Sequence, residues 1–142
     1  MRRLTERSIA LAALGLAAAP AFAASPAEGL WRTPTNNGEV RIAECGQALC
    51  GRIVSSDRIK VDPDLRDTKN RNEALRSRPL KDLLMLQGFT GGPTEWKGGT
   101  VYNPEDGGTY KGRLKLQDAD TLRLTGCIVA PLCKSQTWRR IE

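Results

Sequence analysis

The residues of this chain that could do chemistry are four cysteines, a scatter of carboxylates, one glycine-rich stretch and three tryptophans; there is no histidine. Without histidine, the Ser-His-Asp and Cys-His arrangements of nucleophilic catalysis cannot be assembled, and metal sites lose their commonest ligand. Glu95, Glu105 and Asp106 are the acids that could pair as general acid and base, but no spacing places two of them on one face of a site. Asp62, Asp64 and Glu73 coincide with positions 1, 3 and 12 of a calcium loop. The glycine that such a loop needs at its sixth position is Asp67 here, and Arg66 stands where a ligand should be, so the match is accidental.

The stretch WKGGTVYNPEDGGTYKGRLKL, residues 96–116, holds five glycines. A phosphate-binding loop needs a strand, then glycines with free N–H groups, then a helix whose N-terminus faces the anion. The residues after Gly108 alternate like a strand instead. Asn103 to Gly108 is turn material, and Gly98-Gly99 inside a strand indicates a bulge, a sharp bend or a close approach by another segment. These glycines shape backbone; they do not hold a nucleotide. No cofactor is expected.

The cysteines form two local pairs, CGQALC (Cys45, Cys50) and CIVAPLC (Cys127, Cys133). A zinc site of four cysteines wants gaps of about two to four residues and a reducing compartment, which these spacings fit poorly. An even count in an exported chain points to disulfides. Three pairings are open. The local ones, Cys45–Cys50 and Cys127–Cys133, are favoured because each pair straddles a turn.

Export is indicated by the start of the chain. Arg2, Arg3 and Arg7 precede an apolar run from Ile9 to Ala19, and Ala21-Phe22-Ala23 ends it with small residues. That is the anatomy of a secretory leader cleaved after Ala23. The run is shorter than the ~20 residues of a membrane span. The expected organisation is a leader over 1–23 and one domain over 24–142, periplasmic or secreted, with no transmembrane segment. Loss of the leader takes away three of the 22 basic and one of the 16 acidic residues and leaves a net charge of +4. The basic residues are dispersed and the compartment holds no obvious nucleic acid, so no nucleic-acid partner is expected. Weak attraction to anionic lipid or envelope polymer remains.

The elements that must position these residues are strands. Tyr110 to Leu116 alternates, with Tyr110, Leu114 and Leu116 on one side and Lys111, Arg113 and Lys115 on the other. Thr121 to Thr125 and Val40 to Ile42 repeat the scheme, which describes antiparallel strands over a one-sided core. Turn residues divide the chain into eight strands near 29–33, 38–44, 48–54, 83–89, 95–102, 108–117, 120–127 and 133–141. The fold class is all-β: an eight-stranded antiparallel up-and-down barrel of the lipocalin or calycin kind, whose closure removes exposed strand edges. One long connection interrupts it. Residues 57–82 are rich in mixed charge and carry prolines at 63 and 79. Asn70 and Glu73 can cap a short helical turn over Asn72 to Ser77. On a barrel this insertion would lie across an open end like a lid.

The aromatic residues Trp31, Trp96 and Trp138, with Tyr102 and Tyr110, are either core and barrel-end packing or the lining of a ligand cavity. Gly29-Leu30-Trp31 on the first strand, with Arg139 and Arg140 on the last, is similar to the lipocalin arrangement. There a tryptophan of strand one meets a basic side chain near the C-terminus at the closed end of the barrel.

Taken in order, GLWRT at 29–33, LCGRIV at 49–54, NRNEALRSRPL at 70–80, WKGGTVYNPEDGGTY at 96–110, LRLTGC at 122–127 and SQTWRR at 135–140 resemble the bacterial exported family catalogued as domain of unknown function 2147. The resemblance implies a small periplasmic or secreted protein with a lipocalin-like barrel. The chain departs from the family pattern at Arg71, where proline is common, and at Lys81-Asp82, where a glycine commonly follows Arg-Pro-Leu. Among the matching positions, Asn70, Arg76, Arg78, Trp96, Tyr102 and Tyr110 are the candidates for a ligand-facing or barrel-mouth cluster. For Arg76 and Arg78 the alternative is a structural role, pinning the insertion to the rim.

The function expected is binding of a small apolar or amphipathic molecule inside the barrel. The alternative is an interaction or structural protein of the envelope that uses its rim and the basic face of Lys111, Arg113 and Lys115. The chain is read as not an enzyme. A buried, close pair of acids at the barrel mouth is the arrangement that would revise this.

Overall fold

The computed structural model describes residues 15–19 and 23–142, so most of the leader expected over 1–23 lies outside the described residues. Eight strands succeed one another around a closed barrel, each antiparallel to the next. They are β1 (Gly29–Arg32), β2 (Glu39–Cys45), β3 (Ala48–Ser55), β4 (Leu84–Gly91), β5 (Glu95–Asn103), β6 (Gly108–Asp118), β7 (Thr121–Val129) and β8 (Leu132–Arg140). The barrel closes where Trp31 pairs with Arg140 and Arg32 with Arg139. Each expected strand lies within two residues of an observed one at either end, because side-chain alternation and turn chemistry mark the same boundaries. No helix among the described residues is long and apolar enough to cross a membrane.

The up-and-down path puts the turns at two ends. The β2–β3, β4–β5 and β6–β7 turns share one end with residues 26–28 and 141–142, and this end is closed. The β1–β2, β5–β6 and β7–β8 turns and the long insertion share the other, which forms the mouth. Asn36 and Asn37 take the left-handed conformation in the β1–β2 turn, with φ of 53° and 46°. Asparagine tolerates that conformation better than most residues do.

The closed half of the barrel is filled. Trp31, Trp138, Phe89, Leu86, Leu114 and Leu122 are fully buried there with Ile42. Three glycines make the packing possible. A β-carbon on Gly51 would come 2.9 Å from Leu86 Cδ1, and one on Gly112 would come 2.8 Å from Phe89 Cζ. Gly99 lies under the same phenylalanine ring, and the register shifts between Trp96 and Gly99, where Gly98 has φ 73°. The glycine-rich stretch thus combines a bulge with a close approach. Both serve to seat Phe89.

The insertion begins with α1 (Asp57–Val61), a short helix where the sequence pattern shows only a charged, irregular excursion. Its start is marked by Ser56, whose side chain accepts a hydrogen bond from the Ile59 N–H at 3.1 Å, with Asp57 in the first turn. Such a cap satisfies one of the free N–H groups of a helix start. The expected helical turn near 72–77 is a 3₁₀ turn, η1 (Glu73–Leu75), capped by Asn72 rather than Asn70. Arg66 and Pro79 bridge the two limbs of the insertion. Cys45 is joined to Cys50 across the β2–β3 turn, and Cys127 to Cys133 across the β7–β8 turn.

Candidate functional site

At the mouth the barrel is not filled. A cavity of about 100 Å³ remains above the packed half. Val40, Ile53, Met85 and Trp138 wall it from the barrel, and Ile59, Leu65 and Leu80 of the insertion roof it. Asn36, Arg58, Asn103, Glu105 and Gln136 stand at its rim. The lining is mainly apolar, with the hydroxyl residues Thr33, Ser55 and Ser56 beside it and polar side chains at the rim. The space therefore suits the hydrocarbon end of a molecule whose other end stays wet. Trp138 keeps its indole N–H satisfied by donating to Gln136 Oε1 at 3.0 Å. The rim acid Glu105 pairs with Arg58 at 3.2 Å and with Lys69 at 3.8 Å.

The middle of the insertion does something different from a lid. It leaves the mouth and clamps onto the outer wall of the barrel. Tyr102 shares a strand face with Thr100, opposite the inward-pointing Val101, and residues 67–78 lie over it. Asp67 is buried there with Asn70. The Tyr102 hydroxyl donates to one oxygen of the Asp67 carboxylate. The other oxygen accepts from Arg78 Nε at 2.8 Å and from Asn70 Nδ2 at 2.9 Å. Asn70 Nδ2 also reaches the Tyr102 hydroxyl at 3.1 Å, and the Arg78 guanidinium lies 5.0 Å from the Tyr102 ring centroid. A buried carboxylate is tolerated only when it is paired and hydrogen-bonded in this way. Burial, with the Asp67 carboxylate beside it, pushes the Tyr102 hydroxyl up to a pKa of about 12.

Of the six candidates named from sequence, Asn70, Arg78 and Tyr102 meet in this clasp around Asp67. They also line a cleft of about 350 Å³ on the outer wall, together with Arg71, Gln87 and Thr109. Arg76 adjoins the clasp, donating from Nε to the Asn70 carbonyl at 2.8 Å and pairing with Glu73 at 3.3 Å. Tyr110 stands apart at the start of β6, where its hydroxyl donates to Asp106. Burial would raise the Asp106 carboxyl, but Tyr110, the Gly108 N–H and Arg71 outweigh it and hold that group below the usual range. Trp96 is at the opposite end. It is buried in the core near Gly92 of the β4–β5 turn, and it faces neither cavity nor cleft.

Sequence reasoning misses Asp67, the hub of the clasp, because in the pattern of residues it stands out only as the missing glycine of a calcium loop. Its signal is Asp67 and Asn70 at a spacing of three with arginines on either side. The apolar mouth residues are legible as inward positions near strand ends, but nothing in the alternation distinguishes a filled position from one beside a void.

Of the two arginines named from sequence for the closed end, Arg140 is the one that meets Trp31, while Arg139 donates to the Thr121 hydroxyl at 2.7 Å. The Arg140 guanidinium lies 4.3 Å from the centroid of the Trp31 ring. It donates to the carbonyls of Ala119, Glu28 and Pro26 at 2.6–2.7 Å, while the Trp31 indole donates to Ala27 at 2.9 Å. A stacked cation with its donors spent on backbone carbonyls locks both chain ends to the β6–β7 turn.

Residues 29–140 match the pattern of a bacterial family described as uncharacterized proteins conserved in bacteria, DUF2147. The chain belongs to the DUF2147 family. Among solved structures, the barrel is similar to that of protein HP1028 from Helicobacter pylori, which is described as belonging to the lipocalin family. The two share 25% identity with a TM-score of 0.71, over 81% of this chain and 82% of that one. No curated protein matches the sequence. This DUF2147 member therefore has the lipocalin-like barrel that its alternation and its Trp31–Arg140 pair imply.

Proposed function

We propose that this DUF2147 protein is an exported carrier that takes the apolar end of a small amphipathic molecule into the barrel mouth. The observation that carries the reading is the roofed cavity of about 100 Å³ between Trp138 and Leu80. The lipocalin-like barrel of the H. pylori neighbour supports a ligand-holding use of the fold. The packed lower half sets the limit. With Phe89 seated on Gly99 and Gly112, a ligand enters only the upper half, so a short chain or single ring fits and a long acyl chain does not. Asn70, Arg76, Arg78 and Tyr102 act in this reading by holding the insertion so that Leu65 and Leu80 stay over the mouth. Trp96 acts through packing. No acid–base or nucleophilic step is assigned, so the protein is not an enzyme in this reading. The two disulfides and the bacterial family support export to the periplasm or beyond.

The test is native mass spectrometry of protein purified from the producing cell, followed by solvent extraction and octanoate titration by calorimetry. The expected result is a co-purifying amphipath, or octanoate binding, that Ile53→Phe abolishes by filling the cavity. An empty protein with no octanoate heat, or equal binding by the filled variant, would overturn the reading.

A second reading is favoured by a separate observation. Lys111, Arg113 and Lys115 are all exposed on the outer face of β6. In that reading the barrel meets an anionic component of the envelope through this face.

A further inference from the structure

The β7–β8 turn gathers three of the seven large hydrophobic side chains that are exposed among the described residues. Ile128, Val129 and Leu132 are 74%, 62% and 64% exposed, yet they are large aliphatic side chains within five residues of one another. Their backbone is partly paired, with a register shift between Cys127 and Val129 that leaves Ile128 outside the ladder. Val129 and Leu132 remain paired across the hairpin, the Cys133 N–H is bonded to the Pro131 carbonyl at 2.9 Å, and Pro131 has no N–H to satisfy. The Cys127–Cys133 disulfide closes the loop at its base. Each polar backbone group paired within the hairpin lowers the cost of moving the tip out of water compared with an open loop.

Charge is distributed to match. From Gly108 to Ile141 the only acids are Asp118 and Asp120, and both lie in the β6–β7 turn at the closed end. Lys111 stands across from Cys127 on the outer face, with Arg113 and Arg123 further down that wall. Lys134 stands across from Gly126 on the inward face at the mouth, so the two lysines flank the base of the tip from opposite faces. The nearby mouth acids are engaged elsewhere, Glu105 with Arg58 and Lys69, and Asp106 with Tyr110. The result is an aliphatic point with positive charge behind it on both faces of the hairpin. Protein-binding surfaces instead gather aromatic and arginine anchors in a patch that a partner can seal from water. An aliphatic point backed by lysines matches a bilayer interface, where apolar groups enter below the headgroups and cations meet anionic phosphates.

We propose that the β7–β8 tip inserts into the surface of an anionic phospholipid bilayer, with Ile128, Val129 and Leu132 as the wedge and Lys111 and Lys134 as the headgroup contacts. The inference rests on the basic-face reading and narrows it to one hairpin and one partner. Because the tip is at the mouth end, docking also turns the barrel opening toward the lipid.

Co-sedimentation with vesicles of phosphatidylcholine alone, or with about one third phosphatidylglycerol, tests it. All proteins compared carry the same N-terminus, so any contribution from residues 1–23 cancels. The expected result is binding to the anionic vesicles that weakens severalfold at about 0.5 M salt. It should fall by about tenfold or more in the triple variant I128S/V129S/L132S. These side chains are already exposed, so the triple variant should melt with the wild type. In a second variant, L132W, the new indole should shift its emission to the blue on anionic vesicles and be quenched by brominated lipid. If the triple variant binds anionic vesicles as well as wild type does, the tip is not the wedge and the inference fails while the basic-face reading stands. If wild type ignores anionic vesicles altogether, both fail. If the triple variant loses only self-association or binding to another protein, the tip is a protein contact and the lipid assignment is overturned.

Discussion

Arg78 Nε and Asp67 Oδ2 lie 2.8 Å apart, with the carboxylate fully buried and the Arg78 side chain 34% exposed. One partner of this ion pair is committed to the interior and the other is not, so the two are not equivalent to mutation. Arg78→Ala leaves a buried charge with only neutral donors and should destabilise the protein by about 3 kcal/mol. Arg78→Lys should recover only part of that, because a point charge cannot both bond Asp67 and stack on Tyr102. Urea unfolding followed by tryptophan fluorescence measures both. A loss below about 0.5 kcal/mol for Arg78→Ala would show that the clasp does not hold the insertion.

Tyr102 makes the clasp sensitive to alkali. Its folded pKa of about 12 lies above the unfolded value of 10.0. The raised value means that the unfolded state loses its proton first as pH climbs. The stability this group contributes is therefore complete below pH 10 and is lost as pH rises toward 12, on the order of 2 kcal/mol in all. Tyr102→Phe should be less stable than wild type at pH 7, and the gap should narrow above pH 11. Melting curves of the pair across this range give the answer, and parallel curves would remove Tyr102 as the cause.

Phe89 and the glycines under it set the depth of the barrel's open space. At Gly112 a methyl group would meet Val101 Cγ2 at 2.7 Å and Phe89 Cζ at 2.8 Å. Overpacking of this kind costs about 1–3 kcal/mol. Gly112→Ala should therefore be destabilising, and Phe89→Leu in the same chain should relieve part of the penalty. A double-mutant cycle with coupling above about 0.5 kcal/mol is the expected outcome. Strict additivity would mean that the ring and the glycine do not compete for space.

Much of the barrel is legible in the sequence because strand signals are local. Lys111, Arg113 and Lys115 alternate with Gly112 and Leu114 within a single stretch, so one reading of β6 gives both its faces. The closed-end pair is legible too, since Trp31 and Arg140 fall in short motifs at the two ends of the chain. The site is less so. Asn70, Arg78 and Tyr102 emerge as a group, but whether they face the barrel interior depends on the path of the insertion. That path is set by contacts between residues such as Asp67 and Tyr102, which are 35 residues apart in sequence. α1 escapes notice because a five-residue helix has too little periodicity to register, and only the Ser56 cap announces it. The position of the void cannot be read at all. It is the difference between summed side-chain volumes and the space enclosed, and no single residue reports it.

The closed end yields a prediction that separates stability from binding. Arg140 is the common donor to Pro26, Glu28 and Ala119 and also covers Trp31. Its removal leaves these carbonyls to find water at a partly covered end and uncovers an indole face. Arg140→Ala should cost about 2 kcal/mol or more, and Arg140→Lys should restore little, because an ammonium cannot span three carbonyls while lying flat on a ring. The damage should be confined to that end. Amide exchange should quicken in β1 and in residues 118–120, while the mouth, a barrel length away, keeps its protection and any octanoate affinity at temperatures where the variant is folded. Loss of octanoate binding by folded Arg140→Ala would mean that the two ends are coupled, and that the packed half between them transmits the change rather than isolating it.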